Sequence, residues 1–417
     1  MIFNVLTKDL GQYVTQWLKK NLAQLLIVLA MPVFARHQHL KFEHLSLPQG
    51  LSQSTVYAIL QDRKGFMWFA TQDGLNQYDG YRFTHYRHDP NDPQSLSNNF
   101  ILALYEDSQG HLWVGTDGGG LDRFNRQHHN FTHYRHDPNN PQSLSHNAVL
   151  AIYEDRDQNL WISTEAGLNQ LKRQQQSFKR YQYDPKDPYS LSGPVAWALY
   201  EDHQGQLWVG TDGYGLNRFD REQQQFIHYR HDPNDSTSLS NNHVTSIYQD
   251  HQGVLWVGTG EGLNRFNPQR QNFTRFLQDP KNPNSLNHNI VWAICEDEAN
   301  NLWIGTDGGG LSRFEPQSQQ FTHYVHEDFY KKSLSNNYVV ALYTDQAGAL
   351  WIGTDGGGIN KLDYQQNQFK HYFHDPQEAS SLSENLVWSI YEDHQHNLWV
   401  GTFGGGLNRT DQQRQYF

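Results

Sequence analysis

Carboxylates recur in pairs along this chain, and a carboxylate pair is the usual acid–base equipment for breaking a glycosidic bond. Glu106-Asp107 and Glu201-Asp202 are two examples. Such chemistry needs two carboxyl groups converging at about 5–5.5 or 6.5–9.5 Å. Neighbours on a strand face opposite ways, and the pair recurs down the chain, so it does not define one dyad. Glu165, Glu261 and Glu384 stand outside the pattern and are the carboxylates a polysaccharide hydrolase or lyase would have to use. Histidine is frequent, at 23 residues, and His85 with His88 or His133 with His136 could be offered to a metal ion. On a strand, residues three apart point to opposite faces. Asp117-Gly118-Gly119-Gly120 and the related turns at Asp307 and Asp355 share the composition of calcium loops but not their spaced oxygen ligands. No nucleophile elbow, phosphate loop or dinucleotide fingerprint is present. No catalytic residue, metal ligand or cofactor is assigned, and the residue types point to binding.

The elements that would position a site repeat. Leu-Trp-Val/Ile-Gly-Thr, or a close variant, places tryptophan at 68, 113, 161, 208, 256, 303, 351 and 399, at intervals of 45 to 48 residues. That period is the size of a four-stranded propeller blade. In the second unit, Ile101 to Glu106 is a mostly apolar run suited to an inner strand, and Asp107 to Gly110 makes a turn. His111 to Thr116, Leu121 to Phe124 and Phe131 to Arg135 supply the other strands. A proline-rich loop, His136 to Pro141, leads to the next unit. The predicted fold is all-β, a single β-propeller of four-stranded antiparallel blades. Eight blades are preferred, with seven plus a spare unit as the alternative. The lone segment Lys41-Phe42-Glu43-His44-Leu45 is expected to close the last blade, because the eighth unit almost lacks a fourth strand. The repeated tryptophans then read as blade-to-blade core.

A symmetric ring offers nothing unique, so the site is sought where the repeat breaks. One inner-strand position reads Tyr57, Leu102, Leu150, Trp197, Thr245, Trp292, Val340 and Trp388. Asn98, Asn241, Asn242, Asn336, Asn337 and Asn385 lie just before that strand. In the turn after the second strand, Tyr214 interrupts the glycines of the fourth unit and Phe403 replaces the usual acidic residue in the eighth. Flat aromatic faces with amide donors and acceptors suit a small polar, polyhydroxylated ligand such as an oligosaccharide. Trp197, Trp292, Trp388, Tyr57, Tyr214, Phe403 and the six asparagines are therefore the candidate ligand-binding residues, at the channel mouth on the face of the proline-rich loops.

A net charge of −12 argues against nucleic acid as a partner. The single cysteine, Cys295, allows no internal disulfide. Lys19 and Lys20 precede an apolar run, Leu22 to Ala35, that ends with small residues at Val33 and Ala35. This reads as an export signal over residues 1–35, with an uncleaved N-terminal anchor as the alternative, and the propeller as 36–417. This fourteen-residue run, broken only by Gln24 and Pro32, falls short of the roughly 20 that a helical span needs. The expected location is periplasmic or extracellular.

Leu96-Ser97-Asn98-Asn99, Tyr105-Glu106-Asp107, Leu112 to Thr116 and Gly119-Gly120-Leu121 together resemble the two-component regulator propeller repeat, and the resemblance covers roughly residues 41 to 417. It implies an extracytoplasmic sensor module of a bacterial two-component or diguanylate cyclase system, with a membrane-bound histidine kinase or cyclase as partner or as a further region. It also implies carbohydrate fragments as the class of signal. A protein-interaction scaffold is the alternative function.

Overall fold

The computed structural model describes residues 40–363, 372–374, 380–395 and 397–410. The expected export signal or anchor, 1–35, lies outside them. Each unit is organised around an aspartate six residues before its tryptophan. In all eight units the indole Nε1 donates to that carboxylate at 2.7–2.8 Å. The other carboxylate oxygen folds the turn between the first two strands. In unit two, Asp107 Oδ1 accepts the backbone N–H groups of Gln109 and His111 at 3.0 and 2.9 Å. The repeated Glu-Asp pair is thus a joint. Its glutamate reaches the preceding blade, as Glu106 Oε2 does in accepting the Arg63 N–H at 2.8 Å.

The all-β reading holds, and the strands of unit two run Ile101–Glu106, Leu112–Thr116, Leu121–Asn125 and Asn130–Tyr134. Among the described residues there are eight antiparallel sheets, seven of four strands and one of three. First strands of successive units lie side by side around the ring. Each blade presents a tryptophan face to the aliphatic face of the next. Trp113, Ala103 and Leu121 of blade two bury against Leu144, Val149, Ile152, Ile162 and Phe178 of blade three.

Closure differs from the preferred arrangement. The N-terminal strand, Glu43–Leu45, pairs with Ile359–Leu362 of the seventh unit, in the register Glu43↔Lys361 and Leu45↔Ile359. Phe42, 2% exposed, takes the place that Phe131 and Phe178 hold in the fourth strands of other blades, and its N–H donates to the Lys332 carbonyl at 2.9 Å. The ring is therefore the seven-blade alternative with one spare unit. The contacts at the small residue of the second strand, glycine in five of the seven ring blades, mark which sheets are neighbours. A Cβ on Gly115, Gly210, Gly258 or Gly305 would sit 2.6–2.7 Å from the first-strand valine of the following blade. On Gly353 of blade seven it would meet Val56 of blade one, with the Val56 carbonyl at 2.6 Å. On Gly401 of unit eight it would meet only Ser389 of its own sheet. Blade seven has thus used blade one as its neighbour, burying Trp351, Ala341 and Ile359 on Val56, Ile59 and Phe69. The eighth sheet, Val387–Glu392, Leu398–Thr402 and Gly406–Arg409, stands outside the ring with Ile390, Tyr391 and Leu407 exposed.

Between the first four blades the aspartates also take an arginine from the next blade. Arg126 reaches Asp62 and Glu106 at 2.6 Å each, Arg173 reaches Asp107 and Glu154 at 2.7 and 2.6 Å, and Arg221 reaches Asp155 and Glu201 at 2.8 Å each. Burial by itself would raise the Asp107 carboxyl, but donors from Trp113, Arg173 and the His111 backbone outweigh it and hold it at about 2.

Removing residues 40–46 should lower Tm sharply and promote aggregation by baring a sheet edge, whereas removing 380–417 should leave the Tm of the ring nearly unchanged. Thermal melts of the two deletions decide this, and equal losses in both would contradict the seven-blade closure. Asp107→Ala, which strands a buried indole and a guanidinium, should cost about 3–5 kcal/mol in chemical denaturation. Because the folded carboxyl lies below the ordinary 3.8, its contribution is present above about pH 4 and is lost as pH falls through about 2. The acid limb of wild-type stability should therefore be steeper than that of Asp107→Ala.

Candidate ligand-binding site

The variable inner-strand position is a β-bulge in every unit. The ladder slips between Ala196 and Ala198, between Val244 and Ser246, and between Val291 and Ala293, leaving Trp197, Thr245 and Trp292 without a partner across the strand pair. A bulge frees a side chain from the pleat's alternation and re-aims it. The turn after the second strand reaches the same end of the blade. Its first N–H donates to the carbonyl just before the inner strand, as Asp117 does to Phe100, Asp212 to Val195 and Asp307 to Ile290, at 2.8–3.1 Å. Turn, proline-rich loop and inner-strand start therefore share one face.

Two of the three inner-strand tryptophans meet there. Trp197 of blade four and Trp292 of blade six lie 6.2 Å apart between ring centroids, tilted by 41°. They reach across blade five because the intervening residue is the small Thr245, whose Oγ1 turns away to donate to the Val291 carbonyl. His243, just before the blade-five strand, completes the group at 5.9 Å from Trp197 and edge-on to Trp292 at 6.2 Å. Carboxylates fix the polar edges. Trp292 Nε1 donates to Asp307 at 3.2 Å, and His243 Nδ1 is hydrogen-bonded to Asp212 of the neighbouring blade. With both indoles in contact there is no slot between them. The three rings form a platform of mutually tilted faces, held at the edges of Trp292 and His243, on which an indole face can cover the C–H face of a ligand while the remaining oxygens of the rim carboxylates accept its hydroxyls.

Trp388 is placed differently. It lies in the eighth sheet, 73% exposed, and stacks on Phe403 at 5.4 Å and 21°. It does not join the Trp197–Trp292 pair, since the eighth sheet is not a blade of the ring. Tyr57 forms a separate pair with Phe100 at 5.2 Å, and its hydroxyl accepts from Gln72 Nε2 at 2.7 Å. Burial pushes the Tyr57 phenol up. The asparagines hold backbone. Asn98, Asn241 and Asn336 accept the N–H two residues on at 2.7–2.9 Å. Asn242, Asn337 and Asn385 accept the N–H of His231, His326 and His374 across the proline-rich loop at 2.6–2.8 Å. Tyr214 packs over Gly193 and lies 5.9 Å from Tyr183. The non-repeating carboxylates belong to separate sheets. Glu165 lies 3.7 Å from His146 in blade three, Glu261 sits in the turn of blade five, and Glu384 accepts the Asn385 N–H at 2.7 Å in the eighth unit. The histidines proposed as metal pairs turn to different loops, His85 to the Gly50 carbonyl and His88 to that of Leu96. Sequence reasoning did not single out His243, Phe100 or Tyr183. Their signal was the position before the inner strand, which reads Thr55, Phe100, Ala148, Val195, His243, Ile290 and Tyr338 around the ring, and the loss of the loop histidine at Tyr183.

The profile of the family described as two component regulator propeller matches residues 50–73, 95–118, 143–166, 190–213, 238–261, 285–308, 333–356 and 381–404. The chain belongs to this family. Among solved structures it is similar to the extracellular domain of a putative hybrid two-component system of B. thetaiotaomicron, at 28% identity and a TM-score of 0.69. That match covers 91% of this chain and 54% of the other, so the chain spans about half the length of this relative. Histidine kinase P4 of Formosa agariphila is 42% identical over 64 residues, 15% of this chain and 5% of the kinase. Virginiamycin B lyase of Staphylococcus aureus, at 16% identity and a TM-score of 0.56 over 77% of this chain and 98% of the lyase, shares the fold. Among the described residues no helix is long and apolar enough to cross a membrane.

Two indoles this close and tilted should give an exciton couplet in far-UV circular dichroism. The couplet should vanish in Trp292→Phe and shrink in Thr245→Leu, where a bulkier residue separates the rings, with Tm little changed. A couplet that persists in Trp292→Phe would show that the pair is not its source.

Proposed function

We propose that this propeller is an extracytoplasmic ligand-binding sensor module of a bacterial two-component or diguanylate cyclase system, and that it is not itself a catalyst. Its ligand is a small polar, carbohydrate-like molecule held at the channel mouth, and its signal passes to a membrane-bound kinase or cyclase. The single observation that carries the reading is the Trp197–His243–Trp292 platform. It occupies the stretch of ring where the repeat breaks, Trp292 and His243 are hydrogen-bonded at their edges, and all three rings are only half-buried. Family membership and the two-component relatives support the signalling role. Residues 1–35 would direct export or anchor the chain. A second reading, a protein-interaction scaffold, draws on the eighth sheet, where exposed Trp388, Phe403 and Leu407 offer an apolar surface suited to another protein domain.

A thermal-shift screen of glycan fragments tests the first reading. A ligand present at about 100 times its Kd should add about 2.7 kcal/mol of stability and quench tryptophan fluorescence. Trp197→Ala and Trp292→Ala should weaken binding by roughly tenfold or more while the ring still melts cooperatively. Hits whose affinity is untouched by both substitutions would place the site elsewhere.

A further inference from the structure

We propose that Tyr183 and Tyr214 form a second subsite continuous with the Trp197–His243–Trp292 platform, and that the ligand is a neutral linear oligosaccharide of at least three sugar rings. This rests on the carbohydrate reading above and specifies it. The loop before blade four departs from the repeat at four places that meet in space. In the loops before blades two, three, five and seven a histidine ring takes the carbonyl of the Leu-Ser motif, as His88, His136, His231 and His326 do at 2.7–2.8 Å; the loop before blade six has Gln278 there, and here Tyr183 stands instead. An asparagine side chain clamps the other loops across their base, as Asn99 and Asn147 do at 2.7 Å, and here Pro194 stands, which has no side-chain amide. Gly193 replaces Asn, His or Gln, and Tyr214 replaces a turn glycine.

The last two changes are one event. A Cβ on Gly193 would fall inside van der Waals contact with Cβ, Cγ and Cδ2 of Tyr214, so the tyrosine lies where any other residue at 193 would begin. Its ring then meets Tyr183 at 5.9 Å and 41°. Packing alone would bury this pair, as it buries the aromatic rings between blades, yet Tyr183 and Tyr214 remain 40% and 41% exposed. The loop has exchanged two polar clamps for two open aromatic faces.

Continuity with the platform runs through one turn. Tyr214 is two residues from Asp212, and Asp212 holds His243, which contacts both tryptophans. The connection runs from Tyr183 to Tyr214, along the turn to Asp212 and His243, and on to Trp197 and Trp292, more aromatic surface than one sugar ring covers. Successive rings of a chain could each lie on one aromatic face. The same turn position carries a carboxylate in five of the seven ring blades, Asp117, Glu165, Asp212, Asp307 and Asp355, which disfavours a uronate chain and leaves a neutral one.

The test uses the whole chain, with calorimetric titration of glucan, xylan and mannan fragments from monosaccharide to hexasaccharide. Tyr214→Gly and Tyr183→His restore the residues of the other repeats, so both variants should keep the native Tm. Affinity should rise with length up to a trisaccharide or longer in the native chain. Each variant should lose roughly tenfold for the longer fragments while the shortest bind as before; Trp292→Ala should weaken all lengths. A length dependence that survives both tyrosine variants, or its absence from the native chain, overturns the subsite and leaves the tryptophan platform standing. Failure of every fragment to bind the native chain overturns the carbohydrate reading and the subsite with it.

Discussion

Every blade depends on a buried indole N–H that must find an acceptor. Leaving such a donor unpaired in a protein interior costs about 1–3 kcal/mol, and here the acceptor is always the aspartate six residues earlier. The bond pins the start of the second strand to the end of the first. It also fixes the plane of the largest core side chain, against which the neighbouring blade packs. One carboxylate oxygen serves the indole and the other serves the turn, as Asp62 shows in accepting Trp68 Nε1 at 2.8 Å and the Lys64 and Phe66 N–H groups at 2.9 and 3.0 Å. The aspartates of the recurring Glu-Asp pairs are thus engaged by the fold through both carboxylate oxygens. The arginines at 126, 173 and 221 add a further tie between the first four blades, and Pro268 and Pro316 at the same place in blades five and six cannot.

Ring size follows from how closely one blade approaches the next. The second-strand glycines let a valine of the following blade press directly on the backbone. That close approach fixes the wedge between sheets, and the wedge fixes how many sheets complete a turn. Closure by the short strand Glu43–Leu45 joins the chain start to blade seven, so ring opening requires breaking a sheet as well as an interface. The eighth sheet keeps the strand order, the Trp399–Asp393 bond at 2.8 Å and the turn chemistry of the others. Among the described residues no blade packs on its exposed Ile390, Tyr391 and Leu407. Local structure in this repeat therefore forms without the ring, and burial of Val387, Ile390 and Leu407 does not.

The candidate site arises where symmetry fails. A bulge at the same place in each inner strand supplies a socket whose occupant is free of ladder constraints, and blades two, three and seven fill it with an aliphatic residue. Blades four and six fill it with tryptophan, blade five leaves room with Thr245, and His243 closes the group from above. None of these residues is unusual alone. Their value comes from lying on three consecutive blades, so that side chains nearly a hundred residues apart touch.

Much of this was legible in the sequence because repetition is a local signal. Strand positions, turns, blade size, the core role of the repeated tryptophans and the departure of Trp197, Trp292 and Tyr214 from the repeat follow from comparing the chain with itself. The asparagines were legible as a pattern but not as loop clamps, since a side-chain amide that holds backbone and one that faces a ligand look alike in sequence. Blade number was not legible, because eight equal repeats contain no statement of the angle between neighbouring sheets; that angle is set by packing between sheets, including contacts of second-strand glycines with valines 33 or 34 positions on and, at closure, of Gly353 with Val56. For the same reason Trp388, equivalent to Trp197 and Trp292 in sequence, is separated from them in space: the ring closed one unit before it. Composition and period are properties of each unit, whereas closure and convergence are properties of how the units pack, and only the packed ring decides them.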